Sequence, residues 1–374
     1  MNGRNSLAYS LNVIARWVVG LVFLFSSFVK GVDPMGTTFK VQEYMQVWSL
    51  GGITFDWALP LAGTLSTALI CAEFVVGVLL IANAYRRLSA WSLLVLMSFF
   101  TVTTFFDALT NKVSDCGCFG DAIKLTNWQT FWKNIALDVP TVWIVLTRNL
   151  RRKRRFERDG LILIGAVAAM LLFELYNTRH EPVIDFRPWK KGNVVAVEKE
   201  AMNHMILKHK TTGEVKDVAY ANGGWNEVPE EYRDFDVWEV LSSRTDSPVE
   251  IVPEGFGMTD LDGEDCAAEV LLSPDGVLVM TAYRLEKIDE RGAASMRAAM
   301  AAAEENGYRA LLLISALPEE VQAWLYEHSM AGLDYYFADD TAIKAMLRGN
   351  PGFMLLKQGV VTGKGRSVRG LGFE

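Results

Sequence analysis

Residues 11–30 read LNVIARWVVGLVFLFSSFVK, an apolar stretch long enough to cross a bilayer as a helix. Four more apolar stretches follow, at about 60–82, 88–107, 129–147 and 160–176. Because backbone groups in lipid must be paired within their own segment, all five are predicted to be helices rather than strands. No small-residue cleavage site follows the first stretch, which contains Arg16, so an uncleaved helix is favoured over a signal peptide.

Basic residues predict the orientation of these spans, since Lys and Arg accumulate in cytoplasmic loops. With the N-terminus inside, the inner loops carry ten basic residues, including a run at 148–158, whereas the outer loops carry four lysines. Nucleic-acid binding is an alternative for that run, but its place between two spans favours topology. Five spans then put the loop at 108–128 and the C-terminal half in the periplasm of a bacterium whose inner membrane holds the chain.

The two halves of the 374-residue chain differ in charge. Residues 1–176 carry 16 basic and 11 acidic side chains, and residues 177–374 carry 21 basic and 33 acidic ones. The outer half is therefore strongly acidic, which excludes nucleic acid and anionic lipid as its natural ligands. The lipid bilayer is the partner predicted for the first half.

Residues 115–121 read DCGCFGD and place Cys116 and Cys118 in the outer loop. In an oxidising compartment this pair can alternate between dithiol and disulfide. A Cys-X-Cys ring is tight and its bond labile, and the intervening Gly117 permits the backbone angles it needs. A static disulfide or a turn packed under Phe119 is the second interpretation. Metal binding is the third, and it is disfavoured because no His lies nearby. No metal and no other cofactor are expected.

Charged residues within the spans are costly and are therefore candidates for function or pairing. Arg16 and Glu73 both lie in the inner half of the predicted bilayer, so we expect a buried ion pair between them. Asp138, with Pro140 two residues later, marks a predicted kink in the fourth span.

A second group of polar residues is predicted near the outer surface. Lys30, Asp33 and Asp107 lie close to the level of the cysteine loop, where they would bind a partner or anchor the helix ends in the headgroups. Cys71 has apolar sequence neighbours and is interpreted as a packing residue.

Several charged, small and aromatic residues of the first two spans carry a resemblance to a known family. They are Arg16, Gly20, Phe23, Ser26, Lys30, Asp33-Pro34, Glu73-Phe74 and Gly77. Together with the loop at 115–121 they resemble DoxX-like membrane proteins and, within these, the MauE (methylamine utilisation) branch. The resemblance covers about residues 8–150 and implies a four-helix membrane bundle. It also implies a role in methylamine dehydrogenase maturation, in which many disulfides are made, and so favours redox exchange at Cys116 and Cys118. The fifth span and the long outer half depart from that family.

The outer half divides by pattern at about residue 265. Residues 177–265 alternate weakly and are predicted to be a small strand-rich segment, after a basic loop and fifth span at 151–176. In residues 266–374, apolar strands alternate with helices and end in a hairpin, which is typical of an α/β layer. This order is similar to a thioredoxin fold, with Pro351 at the position of that family's cis-proline and a peptide-binding groove implied beside it.

The expected thioredoxin dithiol is missing from this segment. After the strand at 277–281 the chain reads AYRLEK, without a cysteine. Cys266 stands ahead of that strand, as a lone thiol or as a partner for Cys116 or Cys118. The predicted function is thiol–disulfide exchange or maturation of exported cysteine-containing proteins, with an envelope redox partner. The alternative is a non-enzymatic membrane-anchored scaffold. Transport is least favoured, because the five spans show no internal repeat.

Overall fold

The structure is a computed structural model that describes residues 3–50, 53–113, 117–148, 156–221, 224–246, 248–253 and 255–373. The chain divides into two compact units, Met1–Arg187 and Pro188–Glu374. The first unit is helical and the second contains the β-sheets. The finer division at residues 150, 176 and 265 stays a prediction.

The first unit consists of long helices joined by short connections. In chain order they are α1 (Gly3–Val32), α2 (Pro34–Val47), α3 (Ala62–Ala82), α4 (Arg86–Thr110), α5 (Asn127–Leu146) and α6 (Phe156–Arg179). A short hairpin, β1 (Ser49–Leu50) with β2 (Ile53–Thr54), and a 3-10 helix at Asp56–Leu61 lead from α2 into α3.

Four of these helices form a bundle. Helix α1 packs on α3, α3 on α4, α4 on α5, and α5 returns to α1, while α6 packs outside against α3. Val19, Leu80, Leu93 and Ile144, one from each helix of the ring, belong to its shared apolar core. Apolar side chains on the outer faces, such as Leu21, are exposed and suit a lipid solvent.

Four helices among the described residues are long and apolar enough to cross a membrane, namely Leu7–Val32, Asp56–Ala82, Arg86–Thr110 and Glu157–Arg179. They contain four of the five predicted spans. The remaining one, at 129–147, lies in α5, a 20-residue helix that carries Lys133 and Asp138. The chain thus has membrane-spanning helices, and the count of five spans stays a prediction.

Helix α2 is an element that the hydropathy pattern did not indicate. Asp33 caps it by accepting a hydrogen bond from the backbone N–H of Gly36 at 3.0 Å, and Pro34 stands at its first position. Both are strong helix-start signals. They were overlooked because α2 is only weakly amphipathic and too short to span a bilayer.

The second unit is built around a five-stranded mixed sheet. Its elements are α7 (Ala267–Leu271), β8 (Val277–Ala282), α8 (Glu290–Glu305), β9 (Arg309–Ile314), α9 (Pro318–Glu327), β10 (Asp334–Phe337), α10 (Asp340–Met346), β11 (Gly352–Lys357) and β12 (Val360–Gly365). The strand order is β10-β9-β8-β11-β12, with β8, β9 and β10 parallel and β11 and β12 antiparallel. This is the predicted α/β layer with a closing hairpin.

Smaller sheets precede this layer. They are β4 (Asn203–His209) between β5 (Val215–Tyr220) and β6 (Trp238–Thr245), and β3 (Ala196–Glu198) paired with β7 (Val249–Ile251). Strand β6 was not predicted, because only its first residue is buried and its sequence therefore does not alternate. Trp189, Val195 and Met258 join one face of the five-stranded sheet, so the strand-rich segment contributes to the main core.

Candidate functional site

A buried ion pair lies inside the helical bundle, between α1 and α3. The Lys30 Nζ is 2.5 Å from Oε1 of Glu73, and the two residues are only 7% and 1% exposed. The Lys30 ammonium also lies 5.3 Å from the centre of the Phe100 ring on α4. Removing two charges from water costs free energy that close pairing only partly recovers. A buried ion pair within a membrane bundle is therefore a candidate for a functional role.

Ser26 connects that ion pair to the cysteine loop. Its Oγ lies 2.8 Å from Oε2 of Glu73 and 2.8 Å from the backbone carbonyl oxygen of Cys118. A hydroxyl has one hydrogen, so it donates to one of these oxygens at a time. The position of the loop and the hydrogen bonding of the carboxylate are therefore coupled through one side chain.

The loop is fixed by packing as well. Phe119 contacts the ring of Phe25 at a centroid distance of 5.4 Å, and the Lys133 Nζ lies 4.4 Å from the centre of the Phe119 ring. Gly117 has a φ of +63°, the left-handed conformation that glycine adopts without cost. Cys118 is half-buried beside them, whereas Cys116 lies outside the described residues.

Two glycines bring α1 and α3 close together beneath the ion pair. A Cβ at Gly77 would lie 3.1 Å from the carbonyl oxygen of Gly20 and 3.0 Å from the Leu24 side chain. Small residues at such a crossing let two membrane helices approach closely. The close approach brings Ser26 and Lys30 within reach of Glu73.

The expected pairing of Arg16 with Glu73 is wrong. Arg16 donates to the Asn83 side chain at the far end of α3, and Glu73 pairs with Lys30 instead. The two basic residues are fourteen positions apart on α1, about 21 Å along a helix. Because α3 runs antiparallel to α1, Glu73 lies level with Lys30, close to the cysteine loop, and far from Arg16.

The other predicted polar residues have separate partners. The Thr101 hydroxyl donates to Oδ2 of Asp138 at 2.9 Å, across the α4–α5 interface. The Tyr44 hydroxyl donates to Oδ2 of Asp107 at 2.6 Å. Asp33 caps α2. Asp33, Asp107 and Lys30, which the sequence placed together near the outer surface, therefore use different partners among the described residues and contribute to different helix contacts.

A carboxylate that the sequence reasoning did not single out lies between α3 and α6. Glu174 is 4% exposed, and its Oε1 lies 3.7 Å from the Sγ of Cys71. Cys71 therefore has a polar neighbour in addition to its apolar sequence neighbours. An acidic residue within an apolar span was the available signal for Glu174.

In the second unit, the segment after β8 is tied to the residue before Pro351. Asn350 accepts from the backbone N–H groups of Tyr283 and Arg284 at 3.0 and 3.3 Å, and it donates to the Arg284 carbonyl at 2.8 Å. The Asn350–Pro351 peptide bond is cis, as the sequence position predicted. The backbone after β8, where the resemblance predicted a dithiol and the sequence has no cysteine, is thus hydrogen-bonded to an amide side chain.

Cys266 lies on a separate loop of this unit. Its Sγ is 3.8 Å from Oδ2 of Asp260 and 3.5 Å from the Glu264 carbonyl. Desolvation raises the pKa of the Cys266 thiol, and the charges of Asp260 and Glu269 raise it further. This thiol is therefore a weaker nucleophile at neutral pH than an ordinary cysteine.

Groups of three or more His, Cys, Asp and Glu side chains placed to hold a metal ion do not occur among the described residues. What the bundle does offer is a thiol loop seated on a buried Lys–carboxylate pair. Such a site places two opposite charges beneath a loop that carries a cysteine.

Comparison with known proteins supports part of the sequence interpretation. The family model described as "Methylamine utilisation protein MauE" matches residues 8–147, which confirms the resemblance over that segment. A search of curated proteins finds no match. The crystal structure of the thioredoxin domain of a thiol-disulfide oxidoreductase from Bacteroides vulgatus is similar at 15% identity and a TM-score of 0.23, covering 29% of this chain and 81% of that one.

Proposed function

We propose that this chain is a membrane-anchored thiol–disulfide exchange factor of the cell envelope, acting in the maturation of exported cysteine-containing proteins. The observation that carries the proposal is the Ser26 bridge between the Lys30–Glu73 pair and the backbone of Cys118. The match of residues 8–147 to the MauE family model supports it. Cys116 and Cys118 are the residues proposed to react.

The proposed reaction is a balanced exchange between two dithiol–disulfide couples. A thiolate of the substrate attacks one sulfur of the Cys116–Cys118 disulfide, forming a mixed disulfide and releasing the other cysteine as a thiolate. The second substrate thiolate then breaks the mixed disulfide. The substrate loses two electrons, and the two protons that its thiols release on forming thiolates are balanced by protonation of the two thiolates of the reduced cysteine pair.

The Lys30–Glu73 pair is proposed to assist this exchange. Lys30 is connected to the loop through Glu73 and Ser26, and its positive charge is proposed to stabilise the cysteine thiolate that the exchange releases. Glu73 compensates the charge of Lys30 at 2.5 Å. Ser26 is a positioning residue, since it contacts the loop through a backbone carbonyl.

The proposed topology puts the chemistry in a suitable compartment. With an inside N-terminus and five spans, α5 serves as the fourth span and the loop faces the periplasm, where disulfides persist. Residues 149–155, which carry most of the basic run that favours this orientation, lie outside the described residues. The same topology places the outer domain in the periplasm of a bacterial inner-membrane protein.

The outer domain is proposed to bind the substrate polypeptide on a thioredoxin-like scaffold that has lost its own dithiol. Its strand order and cis-Pro351 support that assignment. Four charged residues act electrostatically on Tyr283, beside Asn350-Pro351, namely Arg284, Arg348, Arg366 and Asp340. With three positive charges against one negative charge, this surface suits an acidic segment of the substrate.

The experiment uses the full chain in membranes, with Cys71→Ser and Cys266→Ser so that the loop cysteines are the remaining thiols. The membranes are equilibrated in graded redox buffers, and free thiols are alkylated and counted by mass. The expected midpoint potential lies above about −300 mV, in the range of exchangeable disulfides. A pair that stays oxidised below that value is structural, and the scaffold function then replaces the exchange function.

A trapping experiment identifies the attacking thiol. In the same background, Cys118→Ala leaves Cys116 and Cys116→Ala leaves Cys118, and each variant serves as the control for the other. One of them is expected to accumulate a mixed disulfide with an exported protein, visible as a band that a reductant removes. If neither accumulates one, the exchange function is wrong.

A further inference from the structure

Away from the cysteine loop, the opposite end of the bundle contains a small cleft that is open to solvent. It is lined by residues from α1, the α3–α4 turn and the end of α5. Among its ten described lining residues three are arginines, Arg16, Arg86 and Arg148, and none is acidic. A cleft with that lining attracts anions.

Two of the arginines converge on one neutral acceptor. Arg16 and the Nε of Arg86 both donate to Oδ1 of Asn83, the latter at 2.5 Å. Arg16 is 7% exposed, so one of these charges is more than nine-tenths buried. An amide oxygen carries no formal charge, so this shared hydrogen-bond acceptor does not itself neutralise either guanidinium group.

Further polar groups complete the lining. The Asn12 side chain donates to the Thr147 hydroxyl at 2.6 Å, and the Arg148 side chain donates to the Val145 carbonyl at 2.6 Å. Nearby, Asp159 of α6 accepts from the backbone N–H of Tyr85 at 3.2 Å. Its described hydrogen bond therefore goes to the turn, outside the cleft.

The cleft lies at the ends of three helices. Helix α3 ends at Ala82, α4 begins at Arg86 and α5 ends at Leu146, all beside it. The Arg148 guanidinium lies 5.5 Å from the centre of the exposed Trp91 ring. Tryptophan and arginine together are typical of the headgroup layer. Basic pockets between helices on the cytoplasmic side, where the proposed topology puts this end of the bundle, bind phosphate headgroups.

We propose that this cleft binds a phosphate group through Arg16, Arg86 and Arg148. The phosphate comes from an anionic phospholipid headgroup or from free phosphate, and the position at the helix ends favours the headgroup. Guanidinium groups match phosphate oxygens in geometry as well as charge. The site is independent of the thiol chemistry at the other end of the bundle.

The test uses the full-length protein, purified in detergent and stripped of lipid. Binding of phosphatidylglycerol and of phosphatidylcholine is measured by native mass spectrometry, and stabilisation by inorganic phosphate is measured by thermal unfolding. Arg86→Gln and Arg148→Gln are compared with Arg87→Gln, the exposed neighbour of Arg86 that does not line the cleft. If Arg86→Gln fails to fold, Arg148→Gln decides, because Arg148 is only half-buried.

We expect both cleft variants to bind phosphatidylglycerol at least tenfold more weakly than the wild type, with Arg87→Gln unchanged within twofold. Phosphatidylglycerol binding that is lost in the cleft variants, without stabilisation by inorganic phosphate, identifies the headgroup as the source. Stabilisation by inorganic phosphate that is lost in the cleft variants identifies the free anion. Equal binding of phosphatidylglycerol by the wild type and all variants, without a phosphate effect, overturns the proposal.

Discussion

Replacing Glu73 with glutamine removes one charge from the buried pair and changes little in shape. The new amide would keep an oxygen for Ser26 but would leave the Lys30 ammonium, 7% exposed, without its carboxylate at 2.5 Å. Removing one partner of a buried ion pair costs about 3–5 kcal/mol in the free energy of unfolding. For a unit of this size, 1 kcal/mol lowers Tm by about 2–4 °C, so we expect a fall of roughly 6–20 °C.

The chain offers a matched control in another Lys–Glu pair of the same unit. Lys40 Nζ lies 2.8 Å from Oε2 of Glu43 on α2, but these side chains are 22% and 36% exposed. Solvent screens such a pair, and Glu43→Gln should cost less than about 1 kcal/mol. The unfolding temperature is measured by tryptophan fluorescence of the full chain in the same detergent.

A double substitution separates the cost of an unpaired charge from a loss of packing. Lys30→Met with Glu73→Leu removes both charges and should restore most of the stability lost in Glu73→Gln, because the desolvation cost of both ions disappears. The same variant should still fail in thiol exchange. If Glu73→Gln is no less stable than Glu43→Gln, or if the double variant is the least stable of all, the reasoning about the buried pair is wrong.

Three further predictions concern other parts of the molecule. Gly77→Ala should lower the unfolding free energy by about 1–3 kcal/mol, because its Cβ would meet a backbone oxygen at 3.1 Å. Gly63→Ala on the same helix, whose nearest neighbour is 4.0 Å away, should be neutral or stabilising in the same thermal assay. Asn350→Ala leaves two backbone N–H groups without their acceptor and should cost about 1–3 kcal/mol, measured by hydrogen exchange of the outer domain; Asn350→Asp, which keeps the acceptor, should cost less. The raised pKa of Cys266 means less thiolate at a given pH, so its alkylation at pH 8 should be slower in the folded wild type than in the unfolded chain. In folded Asp260→Asn the alkylation should be faster than in the folded wild type, because one nearby negative charge is removed. Equal rates in folded and unfolded protein would contradict this.

The strands of the five-stranded sheet were predictable because burial on both faces leaves a continuous apolar run, as at β8 and β9. Strand β6 and helix α2 were missed for the opposite reason. Each has little apolar periodicity and depends on a neighbouring strand or a helix cap for its conformation. Local pattern therefore predicted the elements that build the cores and failed for those at their edges.

The partner of Glu73 shows the limit of the same reasoning within the membrane. The sequence identified Arg16 and Glu73 as unusual, because charges are rare in apolar spans, and it placed Lys30 near the outer surface. Whether Arg16 or Lys30 pairs with Glu73 depends on the antiparallel packing of α1 on α3. It also depends on Gly20 and Gly77, which let the two helices approach closely. Ser26 contributed to the family resemblance but was not predicted to contact the cysteine loop, since a serine in a membrane helix commonly bonds only its own backbone.

By itself the sequence determined the membrane-spanning helices, the α/β layer with its cis-proline, and the cysteine loop as the reactive candidate. Hydrophobicity, strand period and proline act locally, so one chain segment contains all the information they need. The tertiary structure alone decided that Lys30, Glu73 and Ser26 meet beneath Cys118, and that three arginines gather at the other end of the bundle. These contacts join residues more than forty positions apart, and they exist only because helix packing brings distant segments to the same depth.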